Sequence, residues 1–69
     1  MNLVKAIDKR LASMERNKLW LCRKSGVSKG ALYTFMQGHS ELKVSSLELI
    51  AGALGVKLST LIEEAEASK

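Results

Sequence analysis

The stretch from Lys18 to Gln37, KLWLCRKSGVSKGALYTFMQ, does most to restrict the folds open to this chain. It holds two short helical patterns joined by a break at Ser25-Gly26-Val27, and Ser28 can cap the second pattern with its hydroxyl. Gly26 is expected to adopt a positive φ, because the chain must turn sharply there. Neither segment is long enough to hold a helix alone, so both must pack on other helices. The stretch therefore predicts a helix-turn-helix.

The rest of the chain predicts the helices that support this pair. Residues 1–69 are expected to form a single all-α domain, with helices at about 2–15, 18–25, 29–37, 46–54 and 59–67. The predicted N-caps are Asn2, Asn17 and Ser28, followed by capping boxes of Ser45 with Glu48 and of Ser59 or Thr60 with Glu63.

Apolar residues recur at the spacing of a buried helix face and predict the core. With 69 residues the chain has room for one domain and one small core. The predicted core positions are Leu3 or Val4, Ile7, Leu11 and Met14, then Leu21 and Cys22, then Leu32 with Phe35 or Met36, then Leu47, Ile50, Ala51 and Leu54, and finally Leu61, Ile62 and Ala65.

The cysteine count and the distribution of apolar residues indicate the cellular compartment in which the protein is expected. A single cysteine allows no intramolecular disulfide, and charged residues interrupt the N-terminal apolar run where a secretory signal needs continuity. No apolar run is long enough to span a bilayer. We expect a cytoplasmic protein.

The charge is unevenly distributed along the chain. Residues 1–38 carry eight Lys and Arg against Asp8 and Glu15, a net charge of +6, whereas residues 39–69 carry three Lys against five Glu, a net charge of −2. A run of charge is often only a solvated helix face. Here the cations cluster in the half that contains the predicted helix-turn-helix, which favours a polyanion as partner.

An ordered set of residues carries a family resemblance. Leu21-Cys22, then Gly26-Val27-Ser28, Leu32 and Gly38 resemble the helix-turn-helix of the lambda-repressor-like (Cro/repressor, XRE) family. The segments that resemble the family's fourth and fifth helices are SLELIA at 46–51, ALGV at 53–56 and LSTLI at 58–62. The resemblance covers most of the chain and implies a compact five-helix fold with the helix-turn-helix at helices 2 and 3.

Helix 3 would then be the recognition helix, with its N-terminal side chains in the DNA major groove. The residues placed on its outer face, and predicted to contact bases, are Lys29, Gly30, Tyr33, Thr34 and Gln37. The predicted phosphate contacts are Arg16, Asn17, Lys18, Ser28, Ser40 and Lys43. Lys18 takes the place where the family commonly has glutamine, and Arg16 the place where it often has an aliphatic residue.

Leu19 and Trp20 depart from the family, which usually has polar residues there. They are expected either to add contacts to the core or to form an exposed apolar patch that binds a partner. Cys22 is expected to fill buried space. The single histidine, His39, has no partners at metal-ligand spacing, and the scattered Asp, His and Cys do not form a catalytic group, so no enzyme, cofactor or metal is expected.

The expected function is a sequence-specific double-stranded DNA-binding transcriptional regulator. We expect a Cro-type or controller-type repressor that binds a palindromic operator as a homodimer, because one recognition helix reads only a few base pairs. The alternative is a protein-interaction module, antitoxin-like or adaptor-like, that uses Leu19 and Trp20. The residues predicted to form the dimer interface are Val56, Leu58, Leu61 and Ile62.

Overall fold

The computed structural model describes residues 2–67, and within that range the chain forms five α-helices and no strand. The predicted all-α, five-helix fold is therefore confirmed. The helices are α1 (Leu3–Ser13), α2 (Lys18–Ser25), α3 (Lys29–Met36), α4 (Val44–Ala53) and α5 (Leu58–Ala67).

Three helices begin at the predicted side-chain caps. Asn2, Asn17 and Ser28 each accept a hydrogen bond from the backbone N–H three residues later, at 2.9, 2.8 and 3.3 Å. Each bond satisfies one of the N–H groups that the first turn of a helix leaves without a partner. The starts of α1, α2 and α3 are therefore local properties of the sequence.

The predicted capping box of Ser45 with Glu48 is wrong. Helix α4 begins at Val44, so Ser45 lies inside its first turn, and Lys43 is an N-cap without a side-chain hydrogen bond. Leu42 and Leu47 occupy the positions of a hydrophobic staple around that cap, and both pack against the core. Apolar packing sets this start.

The same holds for α5, which begins at Leu58 and so places Ser59 and Thr60 in its first turn. The carbonyl of Lys57 accepts the first helical bond, from the Leu61 N–H at 3.1 Å. The capping box predicted from Ser59 or Thr60 with Glu63 is therefore corrected. Val56 packs against the core and Leu61 is fully buried, so a staple again brackets the start.

Helix α1 ends earlier than predicted because the chain turns at Glu15. This residue has a φ of 57°, and the Arg16 N–H bonds back to the Leu11 carbonyl at 2.9 Å. Gly38 and Gly55 have φ values of 82° and 79° after α3 and α4. A glutamate in this left-handed region costs roughly 1 kcal/mol relative to glycine. Because glycine is the residue that usually marks such a turn, a glutamate gives no sequence signal for it.

The core lies where the helices meet: α1 packs on α5, α5 on α4, and α2 on both α3 and α4. Most predicted core positions are confirmed. Met14 is 36% exposed, because α1 has already ended, and Leu3, Val4, Leu47 and Ile62 are only partly buried. The buried apolar residues are Ala6, Ile7, Leu11, Leu21, Cys22, Val27, Leu32, Phe35, Met36, Ile50, Ala51, Leu54, Leu61 and Ala65.

Across residues 2–67, no single helix has both the length and the apolar content to cross a membrane. Helices α4 and α5 meet those two criteria only as a pair, and the chain bends by 91° between them.

Candidate nucleic-acid interface

Helices α2 and α3 are joined by the three residues Gly26, Val27 and Ser28, which is the layout of a helix-turn-helix. Gly26 has a φ of 82°, as predicted, and its N–H bonds to the Cys22 carbonyl at 3.0 Å. The side chain of Val27 is buried. The left-handed backbone of Gly26 and the buried side chain of Val27 therefore hold the turn.

Ser25 adds a contact that the sequence analysis missed. Its buried hydroxyl donates to the Leu21 carbonyl at 2.7 Å and accepts from the Val27 N–H at 3.2 Å. One side chain therefore ties the last turn of α2 to the link that leads into α3. A serine at the last position of a short helix, immediately before a left-handed glycine, is the signal that could have indicated this role.

The outer face of α3 is at the surface, and its inner face is in the core. Leu32, Phe35 and Met36 are buried, whereas Lys29 and Gly30 are exposed. On the same outer face Gln37 is exposed, and Tyr33 and Thr34 are half-buried. The five residues predicted to contact bases therefore all retain accessible surface.

Lys29 and Tyr33 contact each other on this face. The Lys29 ammonium lies over the Tyr33 ring, 5.6 Å from its centroid. The ring also packs against the core. An attraction of this kind is worth about 0.5–1 kcal/mol at an exposed site, so the ring orients the lysine without neutralising it.

Thr34 uses its hydroxyl inside the helix, where Oγ1 donates to the Gly30 carbonyl at 2.6 Å. Its proton is therefore occupied, and the side chain offers a ligand an acceptor lone pair and a methyl group. Gly30 itself is open to solvent, because a Cβ placed on it would meet no atom within 4 Å.

A groove of about 610 Å³ runs between the end of α1, the start of α2 and the side of α3. It brings three predicted phosphate contacts, Arg16, Asn17 and Lys18, to the same surface as Tyr33 of α3. The other residues that line it are Asp8, Leu11, Ala12 and Leu19. We call this surface the α1–α2–α3 groove.

Arg16 lies over the Trp20 ring, 5.2 Å from its centroid. Trp20 is half-buried and packs against the core, whereas Leu19 is 36% exposed and lines the groove. The two residues therefore divide between the alternatives left open by the sequence: Trp20 adds to the core and Leu19 remains at the surface. Trp20 also fixes the position of a cation.

Within residues 2–67, the cations of this groove and of the adjoining outer face of α3 have no carboxylate partner. Residues 2–67 contain one ion pair, between Arg10 and Glu64, on the α1–α5 side of the molecule. Neither Arg16, Lys18 nor Lys29 forms a salt bridge in that part of the chain. Their charge is available to an external anion, and Asp8 is the single acidic residue lining the groove.

The helix caps use the side-chain oxygens of Asn17 and Ser28 as acceptors and leave the donor groups of both residues free. Asn17 uses its side-chain oxygen as the cap of α2, which leaves its NH₂ group free to donate. Ser28 accepts from the Ala31 N–H, which leaves its hydroxyl proton free. Ser40 and Lys43 are exposed between α3 and α4 and do not line the groove.

The residues predicted for self-association are not equally accessible. Leu61 is 0% exposed and belongs to the core, so it has no surface to offer a second copy. Val56 and Leu58 are half-buried and pack against the core, and Ile62 is also half-buried. The accessible part of the set is therefore Val56, Leu58 and Ile62.

Residues 2–67 contain no group of three or more His, Cys, Asp or Glu side chains placed to hold a metal ion. Cys22 is buried in the core, and His39 is exposed just after α3.

Comparisons of the chain with protein-family models, with curated proteins and with solved structures found no match. What the surface can bind is therefore inferred from its own side chains. They present several uncompensated cations and free N–H and O–H donors beside an exposed helix face.

Proposed function

We propose that this protein is a sequence-specific, double-stranded DNA-binding transcriptional regulator of the lambda-repressor-like kind, with α3 as its recognition helix. One observation carries the proposal: the exposed face of α3 borders a groove whose cations have no carboxylate partner within residues 2–67. Cations gathered beside an exposed helix face are the electrostatic footprint of a surface that binds nucleic acid, and they can neutralise phosphates.

The start of α2 is the proposed phosphate site. The N-terminal N–H groups of a helix carry a partial positive charge and favour an anion. Arg16, Asn17 and Lys18 surround this end, and the groove brings them together. Contacts with phosphate fix the register of a protein on DNA and carry no sequence information directly.

The outer face of α3 is the proposed base-reading surface. A helix of this diameter fits the major groove, where lysine pairs with guanine and glutamine with adenine. Lys29 and Gln37 have those side chains, and either Tyr33 or Thr34 packs on a thymine methyl group. Gly30 allows the backbone of α3 to approach the bases closely.

Binding to a palindromic operator as a homodimer completes the proposal, because a single α3 contacts only a few base pairs. Val56, Leu58 and Ile62 are the proposed interface, since they are apolar and retain surface after the monomer has folded. The proposed activity is repression, of the Cro or controller type, in the cytoplasm.

Titration with random-sequence duplex DNA at about 50 mM and about 200 mM salt tests DNA binding. Three proposed phosphate cations per protomer, Arg16, Lys18 and Lys43, predict a loss of affinity of roughly fortyfold over this range. Lys18→Ala should lower the slope of log K against log salt by about one. Lys9→Ala, on the α1–α5 side, is the matched control and should leave the slope as in the parent. Salt-independent binding, or none at low salt, contradicts the proposal.

Sedimentation at increasing protein concentration tests the dimer, with and without duplex DNA. Ile62→Glu should abolish self-association and weaken DNA binding while the helical content stays that of the parent. Leu58→Glu should do the same, but it also disturbs the core on which Leu58 packs. If Ile62→Glu self-associates like the parent, the interface lies elsewhere, and the surface around Trp20 is then the next to test.

A second candidate function is a protein-interaction module, antitoxin-like or adaptor-like. The exposed apolar side chains favour it, with Leu19 at 36%, Leu49 at 53% and Val44 at 64% exposure. The salt titration separates the two candidates, because an adaptor without a DNA role shows no salt-dependent DNA affinity.

A further inference from the structure

Lys29 and Tyr33 form a cation–ring pair on the outer face of α3. The Tyr33 ring packs against the core, and the Lys29 ammonium lies 5.6 Å from the ring centroid. A lysine otherwise samples many rotamers, so anchoring it to a fixed ring holds its charge near one place. The pair therefore presents a cation and an apolar surface at a defined separation.

The space beside this pair is open. A helical side chain leans back over the turn that precedes it, so the Tyr33 ring lies over the turn containing Lys29 and Gly30. A Cβ on Gly30 would meet nothing within 4 Å. The Thr34 hydroxyl proton is already bonded to the Gly30 carbonyl, so Thr34 does not donate to a ligand in this gap. A base edge can reach the flank of the ring.

Two chemical groups of the major groove match the two halves of the pair. Guanine offers O6 and N7 as acceptors for an ammonium, and the C5 methyl of a pyrimidine is the apolar group displayed there. Successive bases along a strand are about 3.4 Å apart. A cation and a ring separated by 5.6 Å therefore suit neighbouring base pairs better than a single one.

We propose that Lys29 and Tyr33 act together to recognise a guanine whose neighbouring base pair presents a C5-methylated pyrimidine, either thymine or 5-methylcytosine. Lys29 donates to the guanine, and the exposed flank of Tyr33 packs on the methyl group. This inference rests on the proposed function and specifies the DNA that the site prefers.

Selection of bound sites from a random duplex library provides the test sequences. The selected sites should share a guanine next to thymine. Replacing that thymine with uracil removes only the methyl group and should weaken binding about fourfold, the value expected for one buried methyl. Replacing it with 5-methylcytosine, paired with guanine, should bind more tightly than cytosine in the same duplex.

Variants assign the effect to the pair. Tyr33→Ala should bind the thymine and uracil duplexes equally. Leu49→Ala is the control, because it removes an exposed apolar side chain from α4, outside the proposed DNA-binding surface, and it should retain the preference for thymine. Replacing the guanine with 7-deazaguanine, which lacks the N7 acceptor, should weaken binding by the parent and leave binding by Lys29→Met unchanged.

Three results would overturn the inference: selected sites without guanine beside thymine, equal binding of thymine and uracil by the parent, or a preference for thymine that survives in Tyr33→Ala. If duplex DNA is bound with the expected salt dependence, these results count against the Lys29–Tyr33 pair alone. If no duplex is bound, the proposed function fails, and this inference fails with it.

Discussion

Arg10 on one side of α1 and Arg16 on the other are held by different partners. On the α1–α5 side, Arg10 pairs with Glu64, each about one third exposed, in a shallow pocket of about 410 Å³. On the other side, Arg16 of the α1–α2–α3 groove lies over Trp20, and Lys29, on the adjoining outer face of α3, lies over Tyr33. Both arrangements order a long side chain, but only the carboxylate cancels its charge.

The contrast separates a cation that holds two helices together from cations that have no carboxylate partner within residues 2–67. The Arg10 guanidinium bonds to the Glu64 carboxylate and lowers its pKa, and the carboxylate in turn raises the pKa of Arg10. Both groups are thus committed to holding α1 to α5. An aromatic ring attracts a cation through its quadrupole, which leaves the full charge for a phosphate. The groove is therefore ordered and still cationic.

Adding a carboxylate to the groove should give its cations an acidic partner like the one that Arg10 has. We expect this change to have the largest effect on DNA affinity. Ala12→Glu places an acidic group beside Arg16 and Lys18, and it should weaken duplex binding roughly tenfold, the contribution of about one phosphate contact at 0.1 M salt. Fluorescence anisotropy with a labelled duplex measures the change.

Ser13→Glu is the control for Ala12→Glu. It adds the same charge one residue later, but on the α1–α5 pocket beside Lys9 and Arg10. Its DNA affinity should stay within about twofold of the parent, as expected for a screened charge outside the interface. Equal losses in both variants would mean that only net charge matters.

Removing the acidic residue of the groove should sharpen the contrast. Asp8→Asn should raise duplex affinity about twofold at 0.1 M salt, because an exposed charge at this range is partly screened. The same titration measures it. Glu48→Gln, on the exposed face of α4, removes an equal charge outside the groove and should have no effect. If Asp8→Asn bound the duplex more weakly than the parent, the DNA would bind at another surface of the protein.

Breaking the ion pair should have the smallest effect, on stability rather than on binding. The pKa of Glu64 is lowered in the folded state, so its stabilising contribution is present above the unfolded-state pKa and is lost as the pH falls through the folded-state pKa. Thermal unfolding of Glu64→Gln should show a slightly lower Tm than the parent at neutral pH. The difference should vanish in acid.

Glu66→Gln, at an exposed position on the same helix, should match the parent at every pH. Because Arg10 and Glu64 are well exposed to solvent, the expected shift in Tm is small. A Tm difference that persists in acid, or that Glu66→Gln shares, would show that the ion pair is not its source. Duplex affinity should be the same in both variants as in the parent.

Local signals predicted the start of α2 and α3, the glycine turn between them and the outer face of α3. Each of these depends on residues close in sequence, such as Asn17 with the N–H three residues later, or Gly26 with Cys22. The starts of α4 and α5 were not predicted, because Leu42 and Val56 act through packing on a core built from other helices.

The sequence alone determined an all-α chain with a basic first half and a helix-turn-helix pattern, because spacing, caps and charge are properties of neighbouring residues. Tertiary structure decided which cations are neutralised and which remain available, since Arg10 meets a glutamate 54 positions away and Asp8, Lys18 and Tyr33 meet only in the groove. It also decided between the two roles that the sequence predicted for Leu61, because folding buries this residue completely and leaves it no surface for a dimer interface. The periodicity of the sequence does not give the distance between residues that are far apart in the chain and come together only on folding.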